Sequence, residues 1–449
     1  MDTLLRAATD RALRYLDALD TRPVAPHRQD VERLTALAEP LPDAPSDPAV
    51  VLALLDEVAS PATVASAGGR YFGFVVGGTL PAALAANWLA AAWDQNAFST
   101  TLSPAAAAIE DIALRWLLDL LALPRDCAGA FVTGATMANF AALAAARRAL
   151  FAARGWDVDE QGLIGAPPLD VVVGAETHPT VLKALGLLGL GRKRVTVVPV
   201  DGQGRMRAGA LPTIAASTIV CAQAGNVSTG AIDPLAEICA IAHRTGAWVH
   251  VDGAFGLWAA AAPGRAHLAA GVADADSWAT DAHKWLNVPY DSGLAIVRDA
   301  ATLRGAMAVA APYLPRGTAR EPGDYTPEGS RRARGVEVWA ALRSLGRTGV
   351  AALIERTCRH AARFAAGLAA AGHRVLNDVV LNQVLVSFGD ETRTRAVIAR
   401  IQADGTCWCG GTLWQGQAAM RISVSSWATT EQDVERSLEA MLRAAREVG

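Results

Sequence analysis

Between about residue 128 and residue 297 the chain alternates short apolar runs with helix-like stretches, and this alternation leaves few folds open. The runs are Ala130–Thr133, Asp170–Val173, Val195–Val200, Thr218–Ala222, Trp248–Asp252 and Leu294–Val297. Between them lie Ala138–Ala152, Thr180–Leu188 and Pro234–Arg244, each with helical spacing of apolar residues. A strand that is apolar throughout must be covered on both faces, and the intervening helices supply the cover. The pattern predicts an α/β fold with a mostly parallel central sheet. Ligands of such sheets gather beyond the carboxyl ends of the strands. Thr133-Gly134, His178, Gly225 and Asp252 fall at those ends.

The flanks follow other patterns. Leu4, Leu5, Ala8, Leu13, Leu16 and Leu19 have helical spacing. Prolines at 23, 26, 40, 42, 45 and 48 then predict an extended arm. After about residue 330 a helix is expected from Val336 to Leu345, stopped by Gly346, then a second from Val350 to Ala371. Short strands at Val384–Val386 and Met420–Val424 precede a last amphipathic helix, Thr430–Arg446. Three segments result. Residues 1–75 form a helical arm for dimerisation, 76–310 a large α/β domain, and 311–449 a loop with a small C-terminal α+β domain.

Composition excludes several classes of function. The formal net charge is -3, with no long run of either sign. Nothing offers a basic patch to nucleic acid or to an anionic membrane. No stretch reaches the roughly 18 uninterrupted apolar residues of a membrane span. Met1-Asp2-Thr3 does not open a signal pattern, so a cytoplasmic location is expected. Six scattered cysteines, of which only Cys407 and Cys409 are near neighbours, read as reduced thiols rather than a metal site.

Lysine usage points to chemistry. Lys and Arg together number 41, yet only Lys183, Lys193 and Lys284 are lysines. Arg replaces Lys as a surface charge but cannot form an imine, because its guanidinium stays protonated. Lys193 lies in the basic turn Gly191–Arg194, and Lys183 lies on an expected helix. Lys284 differs: it is flanked by His283 and Trp285 within an otherwise apolar stretch. An amine in such surroundings is costly to keep protonated, and a neutral amine is a nucleophile. As plain structure it would be a lysine snorkelling from a strand end.

Three further elements accompany it. Asp252 closes the run His250-Val251-Asp252, where a carboxylate could hold a cofactor's ring nitrogen protonated. His250 and Asp252 could also share a metal, but no third ligand is evident. Thr133–Asn139 forms a small-residue turn between strand and helix, whose amides suit a phosphate; its spacing does not match a P-loop. His178 follows Ala175-Glu176-Thr177 and could stack on a flat ring, or simply cap a helix.

Taken together, these elements resemble the group II pyridoxal-phosphate (PLP) dependent amino-acid decarboxylases, of the aromatic-amino-acid and glutamate decarboxylase kind. The resemblance spans roughly residues 65 to 445. It rests on His283-Lys284-Trp285, placed 32 residues after Asp252 of the His-Val-Asp element. Phe72-Gly73-Phe74 before Gly77-Gly78, Ser103-Pro104-Ala105, Ala224-Gly225 before Thr229–Pro234, and Ser330-Arg331-Arg332 add to it. It implies the fold-type I PLP-dependent transferase architecture. It also implies pyridoxal 5'-phosphate held as a Schiff base on Lys284, with Asp252 on the ring nitrogen and His178 stacked on the ring. Ala135 and Thr136 become phosphate binders, with His283 beside the cofactor and Thr280 or Ser277 as further donors. Tyr313, 29 residues after Lys284, becomes the loop tyrosine that returns a proton to Cα. Arg421 resembles an arginine that binds the substrate carboxylate, and Phe74 and Phe98 resemble pocket-lining aromatics. A homodimer with a shared active site is implied as well.

The chain departs from the family pattern in three places. Gly253 stands where Ala is common, Met137 where Glu is usual, and Asp281 where Asn is usual. A carboxylate near a phosphate repels it unless protonated or turned away. The expected reaction is decarboxylation of an L-amino acid with an aromatic or other bulky side chain. Transamination, or aldehyde formation on the same scaffold, is the rival. In aldehyde-forming relatives the loop tyrosine is commonly Phe, so Tyr313 favours the amine. A non-catalytic scaffold and a metal hydrolase built on His250, Asp252 and His283 are the remote readings.

Overall fold

Seven strands build the central sheet of the computed structural model, which describes residues 1–309 and 320–449. They are β1 (Ala128–Val132), β2 (Asp170–Gly174), β3 (Val195–Val198), β4 (Thr218–Gln223), β5 (Trp248–Asp252), β6 (Ser277–Asp281) and β7 (Gly293–Val297). Their spatial order is β1-β7-β6-β5-β4-β2-β3. All neighbours run parallel except β7, which is antiparallel to both β1 and β6. The expected strands are all present. β6 is an addition: its Ser-Trp-Ala-Thr-Asp sequence mixes polar and apolar residues, yet every position is buried.

The chain divides into two compact units. The larger holds residues 79–361 and 377–383, with the seven-stranded sheet. The smaller joins residues 1–78 to 362–376 and 384–449. Within the smaller unit the N-terminal segment pairs directly with the C-terminal region. Trp408 N donates to Arg70 O (3.1 Å), Phe72 N to Trp408 O (2.9 Å), and Ser423 N to Phe72 O (2.9 Å). The small sheet runs β10-β11-β9-β8, with β8 Arg374–Val375, β9 Gln383–Ser387, β10 Gly410–Trp414 and β11 Gln417–Ser423.

Three local findings refine the sequence reading. Helix Gly335–Ala370 is interrupted at Gly346, whose φ of 59° lies where a side chain would be strained. Its two halves match the two expected helices, and the boundary between the units falls inside the second half. The proline-rich segment is not wholly extended: Arg28–Glu32 and Arg33–Leu37 are helical. No proline lies between Pro26 and Pro40, so nothing there blocks a helical turn. No helix among the described residues is long and apolar enough to cross a membrane.

Three tryptophans anchor the segment around β6. Trp258, Trp278 and Trp285 are fully buried. Each indole N–H finds a partner: Trp258 with Asp281 O (3.2 Å), Trp278 with Val272 O (2.8 Å), and Trp285 with Thr357 Oγ1 (2.9 Å). An aromatic ring buried this way contributes several kcal/mol, and the bonded N–H removes the cost of an unsatisfied donor. Trp285 adjoins Lys284, so its packing holds the backbone that carries the amine. Trp285→Ala is expected to lower unfolding stability by roughly 3–5 kcal/mol, read from chemical denaturation.

Candidate active site

Strand β6 ends at Asp281, and the chain then turns through Ala282 and His283 to Lys284. The amides of Ala282 and His283 both donate to Ser292 O (3.0 and 3.2 Å), which ties the turn to the start of β7. Lys284 Nζ lies 3.0 Å from Asp281 Oδ2. Asp281 is only 2% exposed, so solvent scarcely screens this pair. The other oxygen, Oδ1, accepts from Ala135 N at 2.6 Å, at the first residue of helix Ala135–Ala152. His283 Nε2 stands 3.6 Å from the same oxygen. Ser292 N donates to His283 Nδ1 (3.1 Å), so the neutral ring carries its proton on Nε2, the nitrogen nearest Asp281. Burial, the largest influence, holds the His283 pKa below its usual value.

Asp252 ends β5, beside Ala279 of β6. It is buried, and burial raises its pKa; the positive charge of His178 and of Lys284 pulls the other way. Its hydrogen-bond partners are neutral: Asn139 Nδ2 at 3.3 Å and Ala254 N at 3.2 Å. Among the described residues it has no salt bridge. Behind it runs a directed chain of hydrogen bonds. Trp248 Nε1 donates to Ser277 Oγ (2.9 Å), Ser277 to His250 Nδ1 (2.9 Å), and His250 Nε2 to Asn139 Oδ1 (2.8 Å). Asn139 then donates to Asp252. Every donor and acceptor is satisfied only if His250 is neutral, and burial lowers its pKa to about 3. Both His250 nitrogens are engaged, which leaves no lone pair for the metal considered above.

The remaining expected residues fall in several places. His178 is the N-cap of helix Pro179–Leu187, with Nδ1 2.8 Å from Thr180 Oγ1, and its charge reaches Asp252. Ala135 and Thr136 open their helix. Ser277 is not a spare phosphate donor, because its hydroxyl serves His250 and Trp248. Alternation along β6 turns Thr280 to the face opposite Asp281, where its hydroxyl is buried without a hydrogen-bond partner among the described residues. Phe98 lies in the larger unit and packs on Gly323, where a Cβ would come within 2.3 Å of its ring. Phe74 and Arg421 lie in the smaller unit. Tyr313 lies outside the described residues. Sequence reasoning missed Asn139, the bridge from His250 to Asp252, and Tyr290, whose ring centre is 4.4 Å from that of His283.

The hydrogen-bond chain yields a prediction. His250→Leu leaves Ser277 and Asn139 unsatisfied and is expected to cost roughly 1–3 kcal/mol at pH 7.5. An unfolded histidine takes a proton below about pH 6.5, whereas the folded His250 resists until about pH 3. The contribution of neutral His250 is therefore complete above pH 6.5 and is lost as the pH falls. Denaturant unfolding of both proteins should show the gap narrowing by roughly 2 kcal/mol between pH 7.5 and pH 5. A gap that stays constant contradicts the neutral assignment.

Residues 41–389 match the pyridoxal-dependent decarboxylase conserved domain. Tryptophan decarboxylase 1 of Oryza sativa subsp. japonica is 28% identical, over 99% of this chain and 93% of its own length. L-2,4-diaminobutyrate decarboxylase of Rhizobium meliloti (strain 1021) is 30% identical, over 82% of this chain and 76% of its own length. The crystal structure of Oryza sativa TDC with PLP and tryptamine superposes with a TM-score of 0.91 at 24% identity, covering 99% of this chain and 97% of that one. It establishes the fold, fold-type I.

The residues fit the cofactor. Lys284 offers a primary amine, and Asp252 is a buried carboxylate with neutral partners, suited to a cationic ring nitrogen. The helix at Ala135 presents its N-terminal amides, although Asp281 already engages one of them. The chain belongs to the pyridoxal-dependent decarboxylase family, with pyridoxal 5'-phosphate as its cofactor.

Proposed function

We propose that this member of the family removes the carboxylate of an L-amino acid with an aromatic side chain, giving the amine and carbon dioxide. The observation that carries the site assignment is a lysine paired with the buried carboxylate of Asp281 at the end of β6, beside a second buried carboxylate, Asp252, at the end of β5. Bound pyridoxal phosphate supplies an electron sink for the pair left behind when the carboxylate departs. The protein's part is positioning and proton control. Lys284 provides the amine that holds the cofactor's aldehyde. Asp252, braced by Asn139 and His250, keeps a proton on the ring nitrogen. His178, fixed by its cap on Thr180, covers the ring. Tyr313 returns the proton to Cα, as a general acid.

Similar proteins support the aromatic reading. Relatives include the tryptophan decarboxylase above and the tyrosine decarboxylase of Papaver somniferum. Within the smaller unit, Tyr71 and Phe74 stack on Trp408, with ring centres 5.2 and 5.5 Å away. Arg421 is the proposed anchor for the substrate carboxylate. Burial lowers the pKa of its guanidinium, and it has no salt bridge among the described residues. We also read the working form as a homodimer. Helix Asp2–Asp17 buries none of its residues, and Leu5, Leu13, Val50, Val51 and Leu55 are exposed in the same unit. Exposed apolar clusters of this kind mark protein interfaces.

Purified protein supplied with pyridoxal phosphate should release carbon dioxide and amine in equal amounts from L-tryptophan, L-tyrosine or L-phenylalanine. Turnover confined to L-glutamate or L-2,4-diaminobutyrate would refute the substrate assignment. Tyr313→Phe should reduce amine formation by roughly 10²–10⁴-fold, with dioxygen consumed and aldehyde, ammonia and hydrogen peroxide appearing in its place. Unchanged amine output in this variant would remove Tyr313 from the mechanism. Light scattering should report twice the mass of the single chain.

A further inference from the structure

Asp281 stands where the family resemblance places an asparagine near the cofactor's phosphate. Helix Ala135–Ala152 begins after Gly134, which has no side chain to cap it. Asp281, brought from the end of β6, supplies the cap, with Oδ1 2.6 Å from Ala135 N. The close approach is built in by two glycines. A Cβ on Gly293, the β7 partner of Asp281, would stand 2.4 Å from Gly134 Cα. A Cβ on Gly134 would lie 3.4 Å from Asp281 Oδ1 and 3.2 Å from His283 Cε1. The strand end and the helix start are thus held together, and Asp281 has little room to turn aside. Its second oxygen is held by Lys284 Nζ at 3.0 Å. The charged and titratable groups around it are Lys284, His283 and Asp252.

The N-terminus of a long helix attracts an anion through its free amides and its dipole. The family resemblance gives the Ala135 amide to the cofactor's phosphate, and the structure gives it to Asp281. One amide proton cannot serve both oxygens at full strength. In a site with so little exposure, two adjacent anions repel with little screening. An amide side chain at this position could donate to the phosphate, whereas a carboxylate can only accept.

We propose that Asp281 competes with the cofactor's phosphate for the start of helix Ala135–Ala152. It thereby makes this chain less selective for the phosphorylated over the unphosphorylated aldehyde. The inference rests on the reading of Lys284 as the cofactor-binding amine. In both cases Lys284 condenses with the aldehyde, forming a C=N bond and releasing water, with no change of oxidation state. Asp281 pairs with Lys284 whichever aldehyde arrives, so that influence cancels in a ratio of affinities. What remains is the encounter between carboxylate and phosphate.

The test is equilibrium titration of the unmodified chain and Asp281→Asn with pyridoxal 5'-phosphate and with pyridoxal, following the visible band formed on condensation. The dissociation constant for pyridoxal divided by that for pyridoxal 5'-phosphate should rise by about tenfold or more in Asp281→Asn. Circular dichroism checks folding, and Asp281→Ser is read the same way should the first variant fail to fold. An unchanged or smaller ratio, with condensation seen in both proteins, overturns the competition alone. Absence of condensation with either aldehyde in the unmodified chain overturns the reading of Lys284, and the competition with it.

Discussion

Two buried carboxylates and one half-buried amine meet at the carboxyl edge of the central sheet, and the rest of the larger unit is organised around holding them there. A buried charge without partners costs several kcal/mol, so each must be met by an opposite charge or by hydrogen bonds. Asp281 is met by Lys284 and by a helix N-terminus. Asp252 is met only by neutral donors, which leaves its charge available to a cationic ring. The difference between these two solutions is the chemical asymmetry of the site. One carboxylate is occupied by the protein itself, and we propose that the other serves the cofactor.

That preparation depends on residues far apart in sequence. Trp248, Ser277, His250 and Asn139 come from two strands and a helix, and they meet only because β5 and β6 are adjacent and parallel. The chain of donors runs one way, toward Asp252, and ends on the oxygen that Asn139 touches. A directed network of this kind fixes orientation as well as satisfying buried atoms. The three buried tryptophans next to it play the mechanical counterpart, clamping β6 and the Lys284 turn to the core.

Much of this was legible in the sequence. The apolar runs announced the parallel strands because strands covered on both faces have no polar side to break the run. The scarcity of lysine isolated Lys284, and Asp252 stood out at the end of its run. Four things were not legible. β6 escaped notice because polar residues interrupt its apolar run and yet are buried, Ser277 against His250 and Asp281 against Ala135. The roles of Ser277 and Thr280 depended on which face of β6 each one takes, and that follows only from knowing β6 is a strand. Asn139 and Tyr290 carry no local signal, since an asparagine in a helix and a tyrosine in a loop acquire meaning only from what they touch. The departure at Asp281 was visible as a residue type, but its bond to Ala135 was not.

The account depends most on a single amine carrying the cofactor. The direct measurement is borohydride reduction of the protein with pyridoxal phosphate bound, followed by peptide mass spectrometry. The account predicts one pyridoxyl group, on the peptide containing Lys284. A pyridoxyl group on Lys183 or Lys193 instead, or none on any lysine, would contradict it.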